Sequence, residues 1–256
     1  MRFWENIKAK FRRYTISNGY VCDGCGAELF DYPTHRLCER CENNLTYNDK
    51  EICPKCGRQT TALGTCLTCK GHLPKFTVGY TPFVYRSTVA SLVNRLKNGN
   101  PRLALYFGEE MAEYFFKRCE RISLFQGENA EELLVVPIPI TKAKRLERGY
   151  NQAEELAKRI CEKLQEKGVH AREEFCGLEK AKDTLQQKHM DASSRRKNVE
   201  GAYRVKEKKR FKGKSVLLID DIMTTGSTAS ECSERLLAAG VKEVFFLVAA
   251  ALPERK

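Results

Sequence analysis

The sequence predicts an α/β fold built on a mostly parallel sheet, with a small cysteine-rich region in front of it. Three observations carry this. Eight of the twelve cysteines fall before residue 70, in four CxxC pairs. Beyond residue 78, helical and strand-like patterns alternate, the order that builds a parallel sheet with helices on its faces. Two runs in the C-terminal part, Val216–Ile219 and Val244–Ala251, are continuously apolar, as strands covered on both faces are.

The chain has 256 residues, enough for one large domain or two smaller ones. The pattern changes near KGHLPKFTVGY, where Gly71 and Pro74 punctuate the chain and the cysteine pairs stop. Two regions follow, residues 1–78 and 79–256. The pairs of the first are Cys22/Cys25, Cys38/Cys41, Cys53/Cys56 and Cys66/Cys69, separated by 12, 11 and 9 residues. The N-terminus, MRFWENIKAKFRRYTISNGY, is basic but has no apolar core of signal-peptide length. No run approaches the roughly 18 apolar residues of a membrane helix. The expectation is a cytoplasmic protein without membrane insertion, whose reduced thiols bind zinc instead of forming disulfides.

A CxxC knuckle turns two thiolates toward one point, and two knuckles complete a tetrahedral shell. Two Zn2+ sites are therefore expected, with the pairs joined sequentially in the simplest arrangement or interleaved as in cross-brace domains. An all-cysteine shell leaves zinc no open position for substrate, so both sites are read as structural. Gly26 and Gly57 follow knuckles, where the backbone is tight. Eight thiolates and two Zn2+ would add about −4 to the formal charge, moving it from +12 to about +8. Cys161 and Cys232 sit in helical patterns and are expected to be small core or boundary residues.

In the second region, Thr88–Lys97 carries Val89, Leu92, Val93 and Leu96 at helical spacing, and Asn-Gly-Asn-Pro ends it. Ala104–Arg118 reads as the next helix. Leu133–Ile140 (LLVVPIPI) begins as a buried strand, and two prolines then force it out of a ladder. Ala153, Leu156, Ala157, Ile160 and Leu164 form the apolar stripe of a further helix. Val216–Ile219 is a covered strand, Thr228–Ala239 a helix closed by Gly240, and Val244–Ala251 the last strand.

Asp220 and Asp221 stand side by side where the strand Val216–Ile219 ends, on the edge at which open α/β sheets bind ligands. Like charges at such a spot repel each other, and a ligand role explains their presence. The loop after them leads into a helix N-terminus, where backbone N–H groups and the hydroxyls of Thr224, Thr225, Ser227 and Thr228 converge as a phosphate site does. Carboxylates beside it accept hydrogen bonds from vicinal hydroxyls. Together these describe a ribose 5-phosphate. Thr228-Ala-Ser-Glu231 is also a capping box, which needs no ligand.

These 13 residues, VLLIDDIMTTGST, resemble the signature by which type I phosphoribosyltransferases bind phosphoribosyl pyrophosphate (PRPP). The resemblance implies that Asp220 and Asp221 hold the ribose hydroxyls and that Thr224, Thr225, Gly226, Ser227 and Thr228 hold the 5′-phosphate. CDGCGAELF…LCERC, LVNRLKNG, VVPIPITKAKRLERGYNQAEELA and TLQQKHMDASSRRKNVEGAY follow in the order found in the ComF family. That family joins an N-terminal double zinc ribbon to a phosphoribosyltransferase domain and is associated with DNA uptake in bacterial competence. Pro137, Pro139, Arg145, Arg148, Gly149, Asn151 and Gln152 form its most specific segment, and its T-x-x-Q and R-x-x-N motifs map to Thr184, Gln187, Arg195 and Asn198. Lys180 and Lys182 stand where relatives often carry Arg, whose bidentate fork Lys lacks. Tyr150 and Tyr203 replace the commoner Phe.

The resemblance implies Mg2+ on the PRPP pyrophosphate. Arg145 and Arg148 would neutralise that group as it leaves, while a nitrogen nucleophile attacks the anomeric carbon. From Lys180 to Lys214 there are 13 Lys/Arg against 4 Asp/Glu, a basic segment suited to a phosphate backbone or to covering the site. Lys182, Lys188, Arg195, Arg196 and Lys197 are its nucleic-acid candidates. The expected function is a competence protein that binds PRPP and single-stranded DNA and meets a ComFA-type helicase. The alternatives are an active phosphoribosyltransferase on an unidentified nitrogen acceptor and a PRPP sensor.

Overall fold

A computed structural model describes residues 20–29, 37–182 and 198–254 of the chain. The N-terminal part holds the short strands β1 (Tyr20–Val21) and β2 (Glu28–Leu29) and the short helices α1 (Glu39–Asn43) and α2 (Leu67–Gly71). Each helix starts immediately after a cysteine, Cys38 and Cys66, so the second knuckle of each four-cysteine group is the first turn of a helix.

The rest alternates as its apolar pattern requires. The elements are β3 (Val78–Tyr80), β4 (Phe83–Val84), α3 (Ser87–Lys97), α4 (Leu103–Arg118), β5 (Leu133–Pro137), α5 (Lys142–Arg148) and α6 (Gln152–Glu166). Then come β6 (Ala171–Glu173), β7 (Leu178–Lys180), β8 (Tyr203–Val205), β9 (Ser215–Met223), α7 (Ser227–Ala238) and β10 (Glu243–Ala251). The main sheet runs β3-β10-β9-β5-β6 with every pairing parallel, and β4 also pairs with β10. β7 and β8 form a separate antiparallel pair.

Strand alternation divides the core between the two faces of this sheet. Leu133, Val135, Leu217, Ile219, Phe245 and Leu247 face the cluster that contains α3, α4 and α6. Leu134, Val136, Val216, Leu218, Val244, Phe246 and Val248 face the cluster that contains α7. Both faces are thus covered, which is why β10 is buried along its whole length. Phe245 meets Phe115 and Phe125 edge-on, at 6.0 and 6.2 Å between centroids.

The expected strand Val216–Ile219 is longer than its apolar run. β9 continues through both acids to Met223, because β10 goes on pairing with it: Ile222 opposes Ala250 and Met223 opposes Ala251. On its other side the ladder stops at Pro137, opposite Ile219. Pro137 and Pro139 have no N–H to give, but Ile138 between them still donates to the Ile219 carbonyl at 2.9 Å. Past that bond the β5 side of β9 is unpaired by strand, and this is where Asp220 and Asp221 stand.

The expected start of the last helix shifts as well. α7 begins at Ser227 after Gly226, whose φ of +79° is a left-handed conformation that glycine adopts without penalty. The capping box does not form. Glu231 instead accepts from the Gly201 amide at 2.9 Å and from Arg235 at 2.8 Å. Cys161 and Cys232 are buried core residues, as expected. Among the described residues no helix is long and apolar enough to cross a membrane.

Candidate functional site

The acid pair is built asymmetrically. Asp221, only 2 % exposed, shares the face of Leu217 and Ile219 and meets Lys97 at the end of α3, with Nζ 3.1 Å from Oδ2. Burial works against the charge of Lys97, but Asp221 and Asp220 outweigh it and raise the ammonium above its ordinary pKa. Asp220, half-buried, follows the face of Val216 and Leu218, and its Oδ1 accepts the Asp221 amide at 2.9 Å. Burial, and then the charge of Asp221, push its carboxyl up to about 8, with Lys97 pulling the other way. Asp220 near neutral pH therefore both donates and accepts, beside an Asp221 carboxylate ion-paired to Lys97. Such a pair suits a vicinal diol.

A cation at a helix C-terminus such as Lys97 is favoured by the helix dipole alone. The structure gives it a second reason to be there. The Tyr150 hydroxyl donates to the carbonyl of Leu96 and accepts the Gly99 amide at 3.0 Å. The residue before Lys97 and the turn after it are thereby tied to the segment between α5 and α6. That segment, Gly149–Asn151, is the centre of the RLERGYNQ stretch. Gly149 ends α5 in the left-handed region, and buried Asn151 caps α6 by accepting the Ala153 amide at 3.1 Å. Asn151 also donates to the Ile138 carbonyl at 3.1 Å, so the same residues pin the Pro-x-Pro end of β5.

Thr224 to Thr228 follow Met223 directly. Thr225 and Ser227 share a hydroxyl–hydroxyl bond of 2.8 Å, and the Ser227 amide points to Thr225 Oγ1 at 3.4 Å. The loop therefore brings hydroxyls and helix-start amides to one place, beside the acids. Arg145 and Arg148 lie on α5, on the neighbouring connection. Arg145 is paired with Glu154 at 2.6 Å and Arg148 donates to Gln152 at 3.1 Å, so both have partners that a phosphate ligand would have to replace.

The eight paired cysteines fall into two groups, Cys22/Cys25/Cys38/Cys41 and Cys53/Cys56/Cys66/Cys69, so the sequential pairing is the one formed. Their geometry fits zinc. Tetrahedral Zn–S bonds of about 2.3 Å set sulfurs about 3.8 Å apart. Cys25 and Cys38 Sγ are 3.7 Å apart, as are those of Cys56 and Cys66. Amides point at the sulfurs: Gly24 and Cys38 at Cys22, both 3.3 Å, and Cys66 at Cys53, 3.4 Å. Burial opposes ionisation of Cys22, but those backbone donors outweigh it and lower its thiol to about 7. A Cβ on Gly24 would lie 2.8 Å from Cys41 Sγ, so only glycine fits under the group. Zn2+ at either group would be held by four thiolates and would supply structure, not catalysis.

The basic segment is less free than its composition suggests. Arg204 and Lys206 both pair with Glu179, Arg210 pairs with Glu207 and Glu174, and Lys214 with Glu132. Lys182 is described and exposed. Lys188, Arg195, Arg196 and Lys197, with Thr184 and Gln187, lie outside the described residues.

Residues 146–256 match the phosphoribosyl transferase domain family. Competence protein F of Haemophilus influenzae is 25 % identical over 236 residues, covering 90 % of this chain and 89 % of that one. The DNA utilization protein YhgH of Escherichia coli is 24 % identical over 222 residues, 81 % and 87 % of the two chains. Competence protein ComFC of Bacillus subtilis is 25 % identical over 215 residues, 81 % and 80 %. The chain is thus similar over most of its length to proteins named for competence and DNA utilization, and its C-terminal part matches the phosphoribosyl transferase domain family behind two four-cysteine groups.

Proposed function

We propose that this protein binds PRPP with Mg2+, binds single-stranded DNA, and supports DNA uptake in natural transformation. Its homologues carry competence and DNA-utilization names, which supports a ComF-like role. The observation that carries the PRPP reading is the acid pair on β9, one carboxylate ion-paired to Lys97, immediately ahead of a hydroxyl-rich loop and a glycine-started helix. The ribose diol lies against Asp220 and Asp221, and the 5′-phosphate lies in the Thr224–Thr228 loop. Mg2+ bound with the pyrophosphate would supply part of the charge neutralisation there. Single-stranded DNA is held by cations of the basic 180–214 segment, with Lys182, Lys188, Arg195, Arg196 and Lys197 as the candidates, and its affinity falls with added salt. A ComFA-type helicase is the partner we expect beside them.

The alternative is an active transferase on a nitrogen acceptor. There the nitrogen forms a bond to the anomeric carbon, the bond from that carbon to pyrophosphate breaks with its electron pair, and the nitrogen's proton goes to solvent. Arg145 and Arg148 would then exchange their present partners for the leaving group.

Calorimetric titration of Mg2+-PRPP into zinc-loaded protein, with and without single-stranded DNA, tests the reading. PRPP binding that shifts when DNA is bound is the expected result. Binding indifferent to DNA, with PRPP consumed on adding an amine or base, favours the transferase. No PRPP binding overturns the proposal.

A further inference from the structure

The second four-cysteine group does not stand apart from the loop after β9. Its knuckle runs Cys53-Pro-Lys-Cys56-Gly57-Arg58. Arg58 closes the knuckle by accepting the Cys53 amide at its carbonyl, 2.9 Å. Its side chain then leaves the group and donates from Nη2 to the Thr224 carbonyl at 2.6 Å. The residue is only 5 % exposed, and its Nε has no hydrogen-bond partner among the described residues. A buried guanidinium is thus committed to one backbone oxygen, that of the first loop residue.

A second strap runs from the other knuckle. Glu254 accepts the Leu67 amide, next to Cys66, at 2.5 Å and the Thr61 amide at 3.3 Å. Its own amide donates to Gln59 at 3.0 Å. Two residues earlier, the Leu252 amide donates to the Met223 carbonyl at 3.0 Å. Both knuckles therefore reach the junction of Met223 and Thr224, one through Arg58 and one through the chain's last described residues. The group itself is locked to the sheet. Buried Asn48 bonds the Gly57 and Thr81 carbonyls at 2.6 and 2.9 Å, and a Cβ on Gly57 would lie 2.5 Å from the Gly79 oxygen.

We infer that Arg58 is a positioning residue for the Thr224–Thr228 loop, through which the metal-loaded second group sets how tightly the loop holds a phosphate monoester. The inference rests on the phosphate reading of that loop given above. The physical argument is preorganisation. Loop amides bind an anion well when they are already aimed, and an unanchored loop must be ordered at the moment of binding. A charged donor from a buried side chain to a backbone carbonyl is among the stronger single restraints available. Four thiolates around one zinc fix the knuckle from which it extends.

The test uses the full, zinc-loaded chain and the variants Arg58→Met and Arg58→Lys. Hydrogen exchange of the 223–230 peptide and calorimetric Mg2+-PRPP affinity are read together with zinc content. In Arg58→Met we expect about two zinc per chain to remain. Exchange in the loop should rise and PRPP affinity should fall about tenfold, the effect of roughly 1.4 kcal/mol. Arg58→Lys, which keeps the cation on a side chain of shorter reach, should fall between. Unchanged loop exchange in a zinc-retaining Arg58→Met overturns the inference, and so does wholesale loss of zinc or fold, which would make Arg58 a strut of the metal group alone. If the unmodified protein binds no PRPP, the phosphate reading fails, while the exchange comparison still decides whether Arg58 orders the loop.

Discussion

The two four-cysteine groups share a ligand set and sit in opposite surroundings. The first packs in the cluster of α3, α4 and α6, with Cys25 exposed and Cys38 half-buried. The second lies in the cluster of the other face, and none of its cysteines is more than 4 % exposed. Each is fastened to a different side of the acid pair. The first is held by α3, whose Arg95 donates to the carbonyls of Asp23 and Gly24, and by Asn100, which bonds Asp23 Oδ1 at 2.9 Å. That helix ends in Lys97, the partner of Asp221. The second is fastened to the Met223–Thr224 junction through Arg58 and Glu254. The same four-cysteine ligand set therefore produces unequal parts. One group is a partly open cover on a helix, and the other is an internal strut behind a loop.

The sharpest way to break this comparison is to remove one ligand from each. Structural zinc contributes roughly 10–16 kcal/mol in isolated fingers, more than most domains have to lose. Cys56→Ser should therefore abolish the cooperative fold, because its site is part of the sheet's core. Cys25→Ser should lose one zinc and keep a folded phosphoribosyl transferase domain. Zinc analysis with thermal melting reads both, and equal losses in the two variants would refute the distinction. The next largest effect belongs to the acid pair. Asp221→Asn leaves Lys97 beside a neutral partner. Breaking a buried pair costs about 3–5 kcal/mol, and the solvent that reaches Lys97 reduces this to about 1–3. Melting should show that loss, and calorimetry should show PRPP binding gone. Retained affinity would move the diol elsewhere.

What the sequence made legible follows from range. The cysteine groups could be read because a knuckle is a local object, and β9 and β10 because uninterrupted apolar runs such as VLLI report burial on both faces. The acids and the Thr loop could be read because strand, turn and helix start are contiguous in VLLIDDIMTTGST. Their consequences could not. Strand alternation sends Asp221 to a lysine on α3 and Asp220 toward the opposite face, a division visible only once the sheet exists. The capping box at Thr228 failed because Glu231 found Gly201 and Arg235. Local preference had no knowledge of either β8's approach or the Gly226 turn. Arg58 is in the sequence one more charge after a knuckle, and nothing in its neighbours announces a carbonyl far along the chain.

The division of the acids also has a pH signature. Asp220 has its carboxyl near 8 in the folded protein, against an ordinary value of 3.8. Between about pH 4 and about pH 8 the native state thus holds a proton that the unfolded chain releases. Stability contributed by this group falls as pH rises through that window, the reverse of a salt-bridged carboxylate. Asp220→Asn removes the titration, so its melting temperature should gain on the parent's as pH goes from about 5 to about 8. Parallel curves for the two proteins would mean that Asp220 is ionised throughout and that the asymmetry of the pair is wrong.

The smallest effect tests the first face where it is most lightly held. Tyr150→Phe keeps the ring and deletes one hydroxyl, which bonds the Leu96 carbonyl and the Gly99 amide. Two part-exposed bonds are worth about 1–2 kcal/mol together, so melting should shift by only a few degrees and zinc content should not move. PRPP affinity should fall several-fold, because the helix end that carries Lys97 loses its tie to the RLERGYNQ segment. Arg58→Met loosens the same site from the other face without touching Lys97, so the two losses should add. A double variant no weaker than either single would show that the faces act on the ligand through one shared element. An unchanged affinity in Tyr150→Phe would show that the ion pair to Asp221 alone is enough to hold Lys97.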